Sequence, residues 1–363
     1  MLFLIFIIVV FLGFIIKDSK FINTVIVLFI WIIMGFNYSN ADYLNYQYSY
    51  LLIGSNYYSS NMEIGYQFLM KISNYLDLTY QQFVMVISMV GLLLITSTIK
   101  KYSNHPNTVL ALYMIFPLLL DTVQLRGFLS MSIVVFAIRY LEVENKINIF
   151  KYLSLIAIAF SIHFSAFFYF LFIIIFFIDE KKILAISASV TLFFVVFQSK
   201  IFQIASIVIP IARLKRYSFG MNISYTTFFI YILYILFNIF IVFKVRKEYE
   251  KQYLKFHDDK IILKRRSFLT IVLKLNYISL LILPFIMTAL EYFRIHRNIL
   301  ILNYIALFTL FNKNKIKVRN LPLYLSYVAF VFLALYIFIY IQFYDTVIFP
   351  IFNYNILVDK LLF

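Results

Sequence analysis

The stretch FKYLSLIAIAFSIHFSAFFYFLFIIIFFI, residues 150–178, holds one charged side chain, Lys151, and one imidazole, His163, in 29 positions. A bilayer core of roughly 30 Å is crossed by about 20 apolar helical residues. Twenty-nine are therefore too many for one upright span and enough for two short ones. Read as one helix, the stretch carries the chain across once. Read as a hairpin of 150–162 and 164–178, it turns at His163 and returns the chain to the side it left. That choice sets the sidedness of everything upstream or downstream.

The rest of the chain has the same character. Of 363 residues, 64% are hydrophobic, 13% charged and 21% aromatic, with 44 Phe, 30 Tyr and one Trp. Soluble chains sit near 45–50% apolar and about 25% charged, so a soluble enzyme is excluded. Cysteine is absent, which removes disulfides, zinc thiolates and Cys nucleophiles together. Four scattered His and seven Gly leave no His-rich metal centre and no Gly-rich phosphate loop. The Ile, Phe, Tyr, Lys and Asn bias points to an AT-rich, bacterial genome.

Apolar runs fall at 2–16, 21–36, 81–99, 107–121, 125–141, 150–162, 164–178, 183–198, 223–243, 268–290, 298–312 and 321–344. The expected fold is an all-α polytopic membrane protein of about twelve transmembrane or re-entrant helices, in one membrane domain. The start, Met1-Leu-Phe-Leu-Ile-Phe6, has no basic leader and reads as a first span with its amino end outside. Lys and Arg collect on the cytoplasmic side. With both termini outside and 150–178 a hairpin, 22 of the 32 Lys and Arg lie inside and nine outside, Lys274 being within a span. The hairpin is the reading that keeps the basic loops together. The formal charge of +16 is then explained by cytoplasmic loops, with no nucleic acid implied.

Outside lie a long loop, 37–80, with an amphipathic helix expected near Ile64–Leu76, an amphipathic segment at 199–222 and the tail 345–363. Inside lies 244–267, whose mixed charges read as a solvated helix or hairpin. No internal repeat is evident, which argues against an inverted-repeat transporter.

The outside charges ask for a reason, because ionisable groups at membrane depth cost several kcal/mol and usually line a cavity. Arg126 stands at the mouth of a span in Asp121-Thr-Val-Gln124-Leu-Arg126-Gly127, and Arg213, Arg216, Arg294 and Arg297 share its side. Planar Arg forks suit phosphate, although snorkelling to lipid phosphates accounts for Arg213–Arg216 equally well. Glu291, Arg294 and Arg297 are spaced to share a helical face. His163, between Ser161 and Ser165, is either a packing residue or a proton carrier. Asp42 and Glu63 stand among Tyr43, Tyr46 and Tyr66. Carboxylates mixed with aromatic rings suit sugars; helix capping by Asp42 and Glu63 is the alternative. One external cavity, acidic and aromatic on one wall and cationic on another, would take a ligand that is part sugar and part phosphate.

Asp42-Tyr-Leu-Asn-Tyr46, Glu63-Ile-Gly65-Tyr66-Gln-Phe-Leu69, Gln124-Leu-Arg126, His163-Phe-Ser165-Ala166, Arg294-Ile295 and Phe349-Pro350-Ile-Phe352-Asn353-Tyr-Asn355 occur in that order. In these motifs the chain resembles the EpsG family of Wzy-type polysaccharide polymerases, departing at Gly127, where Asn or Gln is expected. The resemblance implies a capsule, exopolysaccharide or O-antigen polymerase of the cytoplasmic membrane. Such an enzyme joins undecaprenyl-pyrophosphate-linked repeat units on the outer face, without metal or other cofactor. It also implies a chain-length regulator and a flippase of the same pathway as partners.

On that reading a sugar hydroxyl displaces undecaprenyl pyrophosphate in a single, inverting step. Arg126, with Arg213, Arg216, Arg294 or Arg297, stabilises the leaving group. His163, Asp42 or Glu63 activates the hydroxyl, and Tyr43, Tyr66 and Gln124 contact substrate. A lipid-linked oligosaccharide flippase, a GT-C-type glycosyltransferase using Asp42 as base, and a glycan ligase are the competing readings.

Overall fold

The structure is a computed structural model, and it describes residues 1–55, 62–197, 200, 223–253, 260–310 and 320–362. It is built of helices, with no strand among the described residues beyond an isolated bridge between Asn37 and Asn355. Among the described residues, four helices are long and apolar enough to cross a membrane: Tyr80–Tyr102, Tyr225–Gln252, Ile262–Ile286 and Leu321–Asn353. Shorter apolar helices are Leu2–Ile15, Lys20–Gly35, Pro106–Ile115 and Phe164–Phe176. Large apolar side chains face outward along them, including Leu4, Phe11, Phe229 and Ile341. In water such a surface would aggregate; in lipid it is the solvated side.

The chain folds as two compact units. The first comprises Met1–Tyr140, Phe150–Phe167 and Leu307–Phe363. Its elements are α1 (Leu2–Ile15), α2 (Lys20–Gly35), α3 (Tyr43–Gly54), α4 (Ile64–Tyr75), α5 (Tyr80–Tyr102), α6 (Pro106–Ile115), α7 (Leu118–Val123) and α8 (Leu125–Ala137). Most of α9 (Lys146–Ile162) and a last long helix from Leu321 complete it. Helix α6 is apolar all round and buried from Asn107 to Ile115, as a helix at the centre of a bundle must be. Its one amide there is fully used: Asn107 accepts from Asn23 Nδ2 at 3.0 Å and donates to the carbonyls of Ile16 and Ser19.

Helix α5 starts at a capping box in which Thr79 Oγ1 and Gln82 Oε1 each accept the other residue's backbone N–H. It ends on Lys100 and Lys101, which favour the negative end of the helix dipole. Where α5 crosses α8, a Cβ on Gly91 would lie 2.3 Å from Phe128 Cε1, so only glycine permits the approach.

Loop 37–80 contains two helices, α3 and α4, the second being the amphipathic helix expected there. The segment 199–222, apart from Lys200, lies outside the described residues. At residue 163 the α-helix α9 gives way to 3-10 turns, Phe164–Phe176.

The second unit comprises Leu141–Ile149 and Phe168–Ala306. Here α10 (Glu180–Val196), α11 (Tyr225–Tyr253) and α12 (Lys260–Ser279) pack together. The charged stretch 244–267 supplies the facing ends of α11 and α12, where Arg246 bridges Glu180 and Glu250. Buried Asn238, Asn276 and Asn303 hydrogen-bond to one another. A self-contained amide cluster of this kind satisfies polar groups that lipid would not.

Candidate functional site

Glu63, Arg126 and His163 stand 63 and 37 positions apart in sequence and meet in the first unit. Glu63 occupies the N-cap position of α4 in an extended conformation, yet its side chain makes no capping bond. Its carboxylate goes elsewhere. Oε2 accepts from Arg126 Nη1 at 2.5 Å, and Oε1 accepts the Phe164 backbone N–H at 2.9 Å. The side chains of Arg126 and Glu63 retain 20% and 24% exposure, so the pair is sheltered without being sealed.

Arg126 is in the first turn of α8, which Gln124 precedes as N-cap. Its guanidinium lies 5.9 Å from the ring centre of Tyr46. Two polar atoms beside it are buried with no hydrogen-bond partner among the described residues: Arg126 Nε and Tyr66 Oη. Buried polar atoms left unmet in a folded protein call for a ligand, an ion or water. Burial pushes the Tyr66 phenol well above its ordinary range, Tyr46 adds to the shift, and Arg126 opposes it. Tyr66 is thus a neutral donor in search of an acceptor.

His163 is buried at the end of α9, and its Nδ1 receives the Ser165 backbone N–H at 3.1 Å and lies 2.8 Å from Ser165 Oγ. A backbone amide can only donate, so Nδ1 presents its lone pair and the ring proton is on Nε2. Gly127 faces this ring: a Cβ there would be 3.8 Å from His163 Cδ2. Gly65 anchors the other side, because a Cβ at that position would meet Ser161 Oγ at 2.3 Å and the Ser161 carbonyl at 2.7 Å. Glycine at 65 lets α4 press against the end of α9, bringing Glu63 to Phe164.

Asp42 holds the N-cap position of α3, and it too makes no side-chain capping bond. Capping therefore explains neither carboxylate. Tyr43 is buried and donates to Gln81 Oε1 at 2.9 Å, while Gln81 donates to the carbonyls of Gly35 and Asn37. A narrow cleft, with room for about one water (about 10 Å³), runs between Asn40, Tyr43, Tyr46, Thr122 and Leu125.

Arg294 and Arg297 belong to the second unit, in the short helix Phe293–Arg297. Arg294 Nε donates to the Glu291 carbonyl at 3.0 Å, and Arg297 is nearly buried. Between them His296 is fully buried, with Nδ1 3.0 Å from Ser279 Oγ and burial lowering its pKa to about 3. Arg213 and Arg216 lie outside the described residues.

Sequence reasoning set Ser161 and Ser165 beside His163 without choosing between them, and it overlooked Asn37 as an organiser. Asn37 donates to the carbonyls of Pro350 and Tyr354, and Asn355 donates to that of Ile32. The motif Phe349-Pro-Ile-Phe-Asn-Tyr-Asn355 is thereby fastened to the start of loop 37–80. An asparagine at each end of the chain was the available signal.

The motifs that build this geometry run in order from loop 37–80 to Phe349–Asn355, and the family model EpsG matches residues 20–356. The chain belongs to the EpsG family. In this EpsG-family protein the match takes in Glu63, Arg126, His163 and the Asn37–Asn355 clasp alike, and the family is of polysaccharide polymerase type. No curated protein and no solved structure matches the chain.

Proposed function

We propose that this EpsG-family protein is a polymerase that joins undecaprenyl-pyrophosphate-linked oligosaccharide repeat units on the outer face of a bacterial cytoplasmic membrane. The observation that carries the reading is the convergence of Glu63, Arg126 and the His163–Ser165 turn around buried, unmet Arg126 Nε and Tyr66 Oη. A guanidinium with a spare buried N–H beside a neutral phenol suits an anion carrying oxygen acceptors, such as a pyrophosphate.

The reaction is a single displacement. A sugar hydroxyl of one lipid-linked unit attacks the anomeric carbon of another. The new C–O bond forms as the bond to the pyrophosphate oxygen breaks, and the hydroxyl proton passes to a base. Arg126 stabilises the charge gathering on undecaprenyl pyrophosphate, and preorganised donors of this kind contribute the largest single share of many catalysed rates. Glu63 is spent on Arg126 and Phe164, which makes it a positioning residue. His163, protonated on Nε2, is a donor to a substrate oxygen. Asp42 is the proposed base. Tyr43, Tyr66 and Gln124 contact sugar or phosphate, and Arg213, Arg216, Arg294 and Arg297 are further phosphate ligands.

The orientation proposed is about twelve helical passes in one membrane domain with both termini outside. It is supported by contacts within the first unit, which join loops assigned to the same side. Asn107 meets Ile16 and Ser19, and Arg139 meets Ser97 and Thr98, all assigned inside. Asn37 meets Tyr354, and Glu63 meets Arg126 and Phe164, all assigned outside. A chain-length regulator and a flippase of the same pathway are the proposed partners.

The test is a strain deleted for the gene and complemented with wild type, Arg126→Ala or His163→Ala at matched membrane expression. Wild type should restore long surface glycan while both variants leave single lipid-linked repeats. Long polymer in the deletion strain would overturn the proposal; repeats confined to the inner leaflet would move a flippase role to the front.

A further inference from the structure

A cavity in the second unit is lined by none of the residues of these motifs. It has a volume of about 550 Å³, within the range of about 300–1,000 Å³ typical of small-molecule sites. One wall is a complete face of α12: Leu263, Arg266, Ser267, Thr270, Ile271 and Lys274 follow the spacing that puts side chains on one stripe of a helix. Glu142 and Glu144, from the segment before α9, also line it, with Phe176 adding apolar surface.

The donors on the α12 wall are underused. Lys274 Nζ donates to the carbonyls of Ile175 and Ile178, at 2.7 and 3.1 Å, which leaves the third ammonium proton without an acceptor among the described residues. Among the described residues Arg266 reaches Glu250 through Nε alone, at 3.5 Å, and neither amino group of its fork has a partner there. The Ser267 hydroxyl has no hydrogen-bond partner among the described residues. The Arg246 charge, by contrast, is met by Glu180 and Glu250. Glu144 has no ion-pair partner among the described residues. The cavity therefore presents spare cationic and hydroxyl donors from one helix and spare carboxylate from another segment, with apolar Leu263, Ile271 and Phe176 alongside.

A simple anion would meet the carboxylates, and a simple cation would meet Lys274 and Arg266. We propose that this cavity binds a zwitterion carrying a phosphodiester and a primary ammonium, the headgroup chemistry of an aminophospholipid. The phosphodiester oxygens take Lys274, Arg266 and Ser267; the ammonium donates to Glu142 and Glu144; the apolar residues take the glycerol end. A primary ammonium is required because a trimethylated one has no N–H to donate to the carboxylates.

The test uses the full chain purified in detergent, with bound lipid read by native mass spectrometry and affinity by thermal shift. The probes are short-chain phosphatidylethanolamine, phosphatidylglycerol and phosphatidylcholine, and soluble glycerophosphoethanolamine. Phosphatidylethanolamine should bind saturably and about tenfold tighter than the other two lipids, the worth of a charge-assisted hydrogen bond. Glu144→Gln and Ser267→Ala should each weaken it by about three- to tenfold with the unliganded melting temperature unchanged. Lys274→Met should weaken it more, although this change also frees two backbone carbonyls. Equal binding of glycerophosphoethanolamine would keep the site and assign it to a soluble ligand. Equal binding of all three lipids, or indifference to both Glu144→Gln and Ser267→Ala, would overturn the proposal. None of these readouts depends on polymerase activity.

Discussion

Glu63 Oε2 lies 2.5 Å from Arg126 Nη1, and the same carboxylate holds the Phe164 amide with its other oxygen. One side chain thus fixes both the guanidinium and the turn that follows His163. Glu63→Gln keeps an oxygen for Phe164 and removes the charge that aims Arg126. Polymer formation by membranes supplied with lipid-linked repeats should fall about tenfold, and for Glu63→Ala about a hundredfold, the scale of a misplacement near 1 Å. Arg126→Lys should not rescue, since an ammonium cannot reproduce the planar fork. A wild-type rate for Glu63→Ala would remove Glu63 from the machinery.

The Ser165 amide on His163 Nδ1 makes the ring a donor through Nε2. Glutamine carries its amide N–H near the Nε2 position and asparagine near Nδ1. His163→Gln should therefore keep at least about tenfold more activity than His163→Asn, the worth of one charge-assisted hydrogen bond. The reverse order would mean that the ring works through Nδ1. Nitrogen-15 chemical shifts of labelled His163 give the tautomer directly.

Gly65 and Gly127 make a matched pair. An alanine Cβ at 65 collides with the Ser161 backbone, whereas at 127 it finds ordinary contact distance. Gly65→Ala should cost about 1–3 kcal/mol and lower the melting temperature of the detergent-solubilised protein. Gly127→Ala should stay within about 0.5 kcal/mol. Equal effects would mean that α4 does not lean on α9.

His296 gives a pH dependence with a definite sign. Its folded-state pKa, about 3, lies below the unfolded value of 6.5. The unfolded chain therefore binds the extra proton below pH 6.5 and the folded one does not, so stability is complete above that pH and declines as pH falls toward 3. At pH 5 the loss from this residue is about 2 kcal/mol. Melting temperatures taken between pH 7.5 and 5 should fall for wild type and less steeply for His296→Gln. Parallel curves would contradict the burial of a neutral imidazole.

An all-helical membrane protein was legible because composition alone excludes a soluble core. The start of α4 after Glu63 was legible from its amphipathic pattern. Helix type was less so: the sequence offered a break at His163 as one of two readings, but that Phe164–Phe176 winds as 3-10 turns leaves hydropathy untouched, since both sides are apolar. Asp42 and Glu63 read as equivalent carboxylates because sequence shows residue type and not partner. Only the fold assigns Glu63 to Arg126. The cavity on α12 was hidden for a related reason, its donors lying in a run that reads as an ordinary basic loop and the span beyond it.

Asn37 gives its hydrogen bonds to the carbonyls of Pro350 and Tyr354, so the clasp has a schedule as well as a geometry. During synthesis, loop 37–80 leaves the ribosome more than 270 residues before its fastening exists. Until then Asn37 lacks the two carbonyls it donates to. A chain stopped shortly before Pro350 would carry Glu63, Arg126 and His163 intact and still lack this tie, which makes synthesis of the Pro350–Tyr354 turn the step that fastens the start of loop 37–80.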